Sequence, residues 1–377
     1  MDVQLEPKKR AKYLEIIESL RTEIGSGRFS SGARLPSEAE LVRRFSVSRM
    51  TVVKAMQQLQ QEGLLVRRPG SGTFAAGSST DEGKVFGLLI PDLGKTEIFE
   101  PICRGMMRSP SIKSHSLSWG HALSTSQHQE EAEQLCQRYI EQSVAGVFFA
   151  PLEFTANRAE VNRRVLRALE KAKIPVILLD RDVVGYPQRS ELDLVGLDNR
   201  RAGYIMTEHL IRQGGARIAF FSRKHSAETV ENRTAGYREA LHAHDLWISK
   251  DFVITGDAAE RSFVEAVLER TRADAIVCAN DHTAAKLMHT LLALGVRIPE
   301  EVRIVGVDDV NYASLLPIPL TTFHQPCLEI GAAAMSAMLE RVRNPHLPPR
   351  SILLNGLLIV RRSCGSPPAN NGAQPGA

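Results

Sequence analysis

The sequence predicts an α/β chain in two parts: a small helical head closed by a basic hairpin, and a larger body built on parallel sheet. Three observations predict it. Residues 35–74, LPSEAELVRRFSVSRMTVVKAMQQLQQEGLLVRRPGSGTF, read as two short helices around a tight turn, then a strand, a turn and a strand. From residue 85 onward, apolar runs of strand length alternate with stretches of helical period, the pattern of a parallel sheet covered by helices. Charge divides at the same place: residues 1–76 carry 13 Lys/Arg against 8 Asp/Glu, and the rest of the chain carries 34 against 35.

In the head, a first helix is expected over about 8–26, where Tyr13, Ile17, Leu20 and Ile24 share one face. Ser37-Glu38-Ala39-Glu40 is a capping box, in which the Ser37 hydroxyl accepts from the Glu40 N–H and the Glu40 carboxylate reaches back. Leu41, Val42 and Phe45 form the apolar face of the helix that follows. Ser46-Val47-Ser48 makes the turn, with Ser48 as the next N-cap. Residues 50–62 continue as a helix with Val52, Ala55, Met56 and Leu59 inward, and Gly63 stands where a left-handed C-cap belongs. Leu64 to Arg68 and Thr73-Phe74 flank the turn Pro69-Gly70-Ser71-Gly72. This order is that of a winged helix-turn-helix.

Such a fold lays its second helix in a DNA major groove with the N-terminal residues at base edges. Arg49 is then the candidate for a bidentate contact to guanine, with Met50 beside it. Ser48 and Thr51 suit phosphate or base at the helix start. Ser37, Arg44 and Lys54 suit the phosphate backbone. Arg67 and Arg68, with Gly70, Ser71 and Gly72, suit a wing against the backbone or minor groove. Any one of these arginines alone is an ordinary solvated charge. The ordered set points to double-stranded operator DNA as partner, and the local positive excess is what phosphate neutralisation requires.

Length and composition exclude several classes. At 377 residues, 43% hydrophobic and 24% charged, the chain is an ordinary globular one with room for more than one core. Its five cysteines are scattered, without a C-x-x-C or a His-Cys cluster, so free thiols in a reducing cytoplasm are expected. No signal-like segment and no membrane-length apolar run is visible, so no membrane partner is expected. There is no G-x-x-x-x-G-K-[ST], nucleophile elbow or H-E-x-x-H, so neither catalysis nor a cofactor or metal is expected.

A small polar stretch over 77–84 reads as a linker. Beyond it, strands are expected at 85–90, 146–150, 175–179, 218–221, 275–278 and 302–307. Helices are expected at 129–141, 162–172, 200–213, 231–243, 260–270 and 281–294. Residues 365–377, rich in Pro, Gly, Ala and Asn, read as a disordered tail. Ligands of open α/β sheets bind beyond the C-terminal ends of the strands. That rule picks out Asp180-Arg181, Asp198-Asn199, Asn280-Asp281 and Asp308-Asp309. Such carboxylates, amides and guanidiniums suit a polyhydroxylated small molecule, and Phe99 or Trp119 could stack on its C–H face. Position alone suits other roles equally: Asp308-Asp309 as turn residues, Asp198-Asn199 and Asp281 as helix caps, Trp119 as core.

Two resemblances extend this reading. Residues 8–76 resemble the DNA-binding domain of GntR-family bacterial regulators, in LPSE, VSRMTV, EGLL and GSGTF. The chain departs from that family at Ala39 and Val53, where many members carry basic residues associated with DNA contact. The resemblance therefore rests base reading on Arg49, Lys54 and the wing. Residues 85–364 resemble the effector domain of LacI/GalR repressors, itself similar to periplasmic sugar-binding proteins. The matching segments are VFGLLIPD, GVFFAP, IPVILLDR, LVGLDNRRAGY, HLIRQGGARIAFFS, NRTAGYREAL, AIVCANDHTA, IPEEVRIVGVDD and LTTFHQP.

That resemblance implies a two-lobed periplasmic-binding-protein-like fold whose chain crosses three times at a hinge. Lobe one is expected near 85–191 plus 323–348, and lobe two at 192–322 plus 349–364. The resemblance implies effector contacts from Arg233 of the R-x-x-G-Y motif, from Asn280 and Asp281 of A-N-D, from Gln325 after the T-T strand, and from Asp180 and Arg181. Phe99, in KTEIF, stands for the family's aromatic after the first strand. The pairing is similar to that of arabinose-responsive repressors of some bacteria. It implies a homodimeric repressor of carbohydrate-utilisation genes that a sugar releases from its operator. An activator is the variant within that class, and a sugar-binding transport component is the reading outside it.

Overall fold

The computed structural model describes residues 12–25, 28–29, 32–62, 64–68, 71–75, 83–90, 97–112, 114–120, 128–246 and 249–366. The chain forms two compact units, one up to Gly83 and one from Lys84. The expected C-cap Gly63, the turn residues Pro69 and Gly70, and most of the linker and tail lie outside the described residues. Among the described residues no helix is long and apolar enough to cross a membrane. All five cysteines are free thiols.

The first unit comprises α1 (Lys12–Gly25), α2 (Glu38–Phe45), α3 (Arg49–Gln61) and an antiparallel hairpin of β1 (Leu65–Arg68) and β2 (Gly72–Ala75). The expected capping box starts α2, with both reciprocal hydrogen bonds present. Ser46 turns left-handed to end α2, and its N–H donates to the Val42 carbonyl. Ser48 then caps α3 by accepting from the Thr51 N–H at 3.3 Å. The core is Ile17, Leu20, Ile24, Leu41, Val52, Ala55, Met56, Leu59 and Leu65 with their neighbours, so the helical spacing in the sequence marks the faces that meet. Arg34 bridges to Phe74, which fastens the hairpin to the segment before α2.

The second unit holds two six-stranded sheets. The first contains β3 (Val85–Leu89), β4 (Ser116–Trp119), β5 (Gly146–Phe149), β6 (Val176–Leu179), β7 (Asp193–Leu197) and β13 (Ser351–Leu354). Its strands are all parallel, in the order β13-β7-β6-β5-β3-β4. Helices α4 (Phe99–Arg108) and α11 (Cys327–Arg343) cover one face; α5 (His128–Glu141) and α6 (Arg158–Lys171) cover the other. The second sheet contains β8 (Ile218–Ser222), β9 (Val253–Thr255), β10 (Ala275–Cys278), β11 (Arg303–Asp308), β12 (Thr321–His324) and β14 (Leu357–Ile359). Its order is β14-β12-β11-β10-β8-β9, parallel except for β14. Helices α7 (Asn199–Arg212) and α8 (Glu228–Ala243) cover one face; α9 (Arg261–Thr271) and α10 (Asp281–Ala293) cover the other. Burial on both faces is why the central strands are unbroken apolar runs.

The chain crosses between the sheets three times, each time later than expected. β7 pairs with β6 and β13 in the first sheet, β12 pairs with β11 in the second, and β13 returns to the first. The crossings therefore lie at Asp198, at Gln325-Pro326 and at Asn355-Gly356, rather than near 192, 323 and 349. Each strand stays with its sheet until its ladder hydrogen bonds run out.

In each lobe one helix pair crosses at reciprocal glycines. Gly203 of α7 lies against the Arg233 carbonyl of α8, and Gly236 of α8 against the Arg200 carbonyl of α7. Gly105 of α4 and Gly331 of α11 repeat the arrangement in the first lobe. A Cβ at any of the four would fall inside the van der Waals radius of a backbone oxygen. In an open helix Gly→Ala stabilises by up to about 1 kcal/mol. Here Gly236→Ala should instead destabilise by about 1–3 kcal/mol, read by urea denaturation of the full chain; a stabilised variant would refute the close approach.

Candidate nucleic-acid interface and ligand cleft

At the start of α3 the side chains of Arg49 and Met50 stand out to solvent, about four-fifths and three-quarters exposed. Arg49 Nε lies 3.2 Å from Glu38 Oε2, and Arg67 of the hairpin reaches Glu38 Oε1 at 3.3 Å. One carboxylate thus steers two guanidiniums. The Ser37 and Ser48 hydroxyls are engaged in capping, and Ser48 Oγ also lies 2.8 Å from Thr51 Oγ1. Arg44 does not stand free as expected: it pairs with Glu23, whose carboxyl is held low first by that hydrogen bond, and it lies over the Phe45 ring. Lys54 sits 4.3 Å from the Tyr13 ring centre, a cation–π contact that leaves its charge available. Gly72 takes a φ of 114° at the tip of the hairpin, with Ser71 exposed before it. The Arg68 side chain lies outside the described residues.

In the second unit a cleft lies between the C-terminal ends of the two sheets, lined by Glu153, Asp180, Arg181, Arg223, Arg233, Asn280, Asp308 and Gln325 among others. Arg233 is at its floor, buried, with Nε donating to Asn199 Oδ1 at 2.7 Å and Nη1 donating to the Ala279 carbonyl at 2.5 Å. Arg181 donates from Nε to the Pro151 carbonyl at 2.9 Å and pairs with Glu153 at 2.7 Å and Asp180 at 3.4 Å. Gln325 Nε2 donates to Asp308 Oδ1 at 2.6 Å. Burial pushes the Asp180 carboxyl up, against the pull of Arg181 and Arg233. It pushes Asp308 up to about 7, against Arg233 and the Gln325 bond. Asp180, Asp308 and Asp309 all hold left-handed backbone, strain that aims their side chains off the strand ends.

Two buried acceptors facing this cleft, Asp180 Oδ1 and Gln325 Oε1, have no hydrogen-bond partner among the described residues. The cavity itself is about 50 Å³, against the roughly 300–1,000 Å³ of an open ligand site. Three contacts close it. The Phe154 N–H donates to the His225 carbonyl at 2.8 Å, the Tyr186 N–H donates to Glu228 Oε1 at 3.1 Å, and the Arg223 guanidinium lies 4.2 Å over the Phe154 ring. Each joins one lobe to the other.

Two expected contacts are corrected. Asp281 does not line the cleft: its carboxylate accepts from Thr322 Oγ1 at 2.6 Å and from the Val310 N–H at 3.1 Å, tucked against Gly306. Asn280, not Asp281, caps α10, accepting from the Thr283 N–H at 2.9 Å. Phe99 is a buried residue at the start of α4, packed in the core with Arg181 stacked 5.6 Å from its centre; it supports a cleft residue and leaves no face for a ligand. Trp119 is exposed on an edge strand. Two participants escaped the sequence reading, Glu153 and Arg223; Asn199, picked out at the strand end, enters by orienting Arg233. Glu153 follows β5 just as Asp180 follows β6, so the strand-end rule could have found it.

Comparison with known proteins matches this division. Residues 12–75 match the model of bacterial regulatory proteins of the gntR family, and residues 207–364 match that of the periplasmic binding protein-like domain. The chain joins a GntR-type DNA-binding domain to a periplasmic-binding-protein-like domain. A relative spanning both is the arabinose metabolism transcriptional repressor of Geobacillus stearothermophilus, 27% identical over 95% of this chain and 99% of its own. Among solved structures, a CelR–cellobiose complex superposes with a TM-score of 0.64 at 23% identity, over 84% of this chain and 91% of that one. A LacI-family regulator from Enterococcus faecium with bound ribose gives 0.59 at 25% identity, over 74% and 98%. The GntR-type domain has DNA as its partner, and the body has the LacI-type two-lobed fold.

Glu38 pairs with both Arg49 and Arg67, so either guanidinium would have to leave it to meet a DNA phosphate. Glu38→Gln should tighten binding to a non-cognate duplex by about 0.2–1 kcal/mol for each pair released, measured by fluorescence anisotropy at fixed salt; unchanged affinity would remove Glu38 from that role. Glu228 makes a second prediction. Burial first, then the Asp182 carboxylate, raises it from an ordinary 4.5 to about 7. The folded chain therefore holds a proton across pH 4.5–7 that the unfolded chain releases, and stability is lost as pH rises through that window. Glu228→Gln should raise the unfolding midpoint above wild type at pH 8 and leave it near wild type at pH 4; equal midpoints at pH 8 would contradict the burial argument.

Proposed function

We propose that the protein is a ligand-responsive repressor of carbohydrate-utilisation genes, a homodimer released from a near-palindromic operator by a polyhydroxylated small molecule. The observation that carries this is the pair of partnerless acceptors, Asp180 Oδ1 and Gln325 Oε1, in a hinged cleft on the same chain as a DNA reader. A buried acceptor without a donor costs about 1–3 kcal/mol, which a ligand hydroxyl recovers. Arg181 and Arg233 donate in return to ring or hydroxyl oxygens. The names of the comparison proteins support a sugar: one is a repressor of arabinose metabolism, and two regulators hold cellobiose and ribose.

The mechanism follows from the closing contacts. A ligand that fits between the strand ends changes the balance between open and closed lobes through its differential affinity for them. In a two-fold dimer that changes the separation of two reading heads, whose half-site spacing is fixed by the DNA repeat. Arg49 and Met50 carry base reading at the head, Arg49 to guanine and Met50 to an apolar base edge.

Arg49→Ala should lose about 1–3 kcal/mol of operator discrimination while keeping the fold, read by gel shift against a scrambled duplex. Sequence preference retained by that variant would reassign base reading. For the sensor, a thermal-shift screen of carbohydrates should find a compound that raises the midpoint by mass action and lowers operator affinity. A binder that left the gel shift unchanged would overturn release.

A further inference from the structure

Beside the cleft lies a second cavity of about 440 Å³ that the reading above leaves unused. It shares Arg223, Ser226 and Val230 with the cleft, so the two spaces are neighbours across those side chains. Their charge differs. In the cleft, Arg181, Arg223 and Arg233 face Glu153, Asp180 and Asp308, three against three. In the annex, Arg158, Arg223 and Arg238 face one carboxylate, Glu231. None of these three guanidiniums makes an ion pair among the described residues, and Arg223 meets only the Phe154 ring, which leaves its charge uncompensated.

The start of helix α8 lies on the annex wall, where the buried N-cap Ala227 supplies no side-chain oxygen to the first-turn N–H groups. An uncapped helix start favours an anion. Two carboxylates, Glu228 and Glu231, stand in that first turn, and burial raises Glu228 to about 7, which reduces the charge they set against it. A neutral sugar has no use for this excess, whereas a phosphate or carboxylate meets guanidiniums through charge-assisted, often bidentate, hydrogen bonds.

We infer that the effector is an anionic sugar, with its hydroxylated ring in the cleft and a phosphate monoester or carboxylate among Arg158, Arg223, Arg238 and the start of α8. This rests on the sugar-responsive reading and narrows it. Arg158 comes from the first lobe and Arg223 and Arg238 from the second. The anion therefore bridges the lobes, and its contacts are complete only when they are closed. That is the differential affinity a switch requires.

The test is calorimetric titration of the full chain with a pentose and a hexose, their phosphate monoesters and their aldonates. One anionic series should bind at least about tenfold tighter than its parent sugar, with the advantage shrinking as salt rises. Which series does so separates a phosphate from a carboxylate. In Arg158→Gln/Arg238→Gln the ratio of anion to parent affinity should fall close to one, with the ligand-free unfolding midpoint kept. If that pair unfolds, Arg238→Gln alone, at an exposed position, should lower the ratio. A parent sugar that binds as tightly as its anions, or a ratio that survives substitution, overturns the inference and leaves the sugar-responsive regulator standing. If no carbohydrate binds while operator binding persists, the sugar-responsive reading falls and the inference falls with it.

Discussion

The second unit depends on one buried guanidinium. A charge removed from water is severely destabilising unless its polar groups are satisfied, and Arg233 is hydrogen-bonded through two of its three nitrogens. Asn199 from the start of α7 takes its Nε, the chain after β10 takes Nη1, and the carboxylates at the ends of β6 and β11 lie within its field. Two segments of the second lobe are thereby tied to one side chain, whose charge also acts on a carboxylate of each lobe. Its backbone position is fixed in turn by an absence: Gly203 has no side chain, so α8 can rest its Arg233 carbonyl on α7. The close crossing of two helices and the floor of the cleft are one structural fact.

The head solves a smaller version of the same problem. Exposed arginines needed for DNA must be tolerated before DNA arrives. Glu38 holds two exposed ones, Arg49 and Arg67, in ion pairs that a polyanion could replace. Arg44, held by a carboxylate that is nearly buried, is better described as a brace between α1 and α2 than as a free phosphate contact.

Local chemistry was legible in the sequence and long-range chemistry was not. The capping box at Ser37 and Glu40, the cap at Ser48 and the six apolar strands could be read because each depends on neighbours within a few residues. The edge strands β4, β9, β13 and β14 are three or four residues long and only partly covered, so pattern alone passed over them. Helices α4 and α11 were also passed over, although Ile330, Ala334 and Met338 of α11 mark a buried face at helical spacing. At the site, the strand-end rule located Asp180, Arg181, Asn280 and Asp308. It could not tell that Asp281 is claimed by Thr322, far along the chain, or that Phe99 lies beneath Arg181 rather than before it. Those outcomes are decided by tertiary partners.

The threefold crossing also sets a timetable for the growing polypeptide. Every element of the head lies within residues 12–75, so its core can close as soon as that stretch leaves the ribosome. The first sheet waits for Ser351–Leu354 and the second for Leu357–Ile359. At roughly 5–20 residues per second, that leaves an interval on the order of 15–60 s. During that interval the head is complete while neither sheet of the body is.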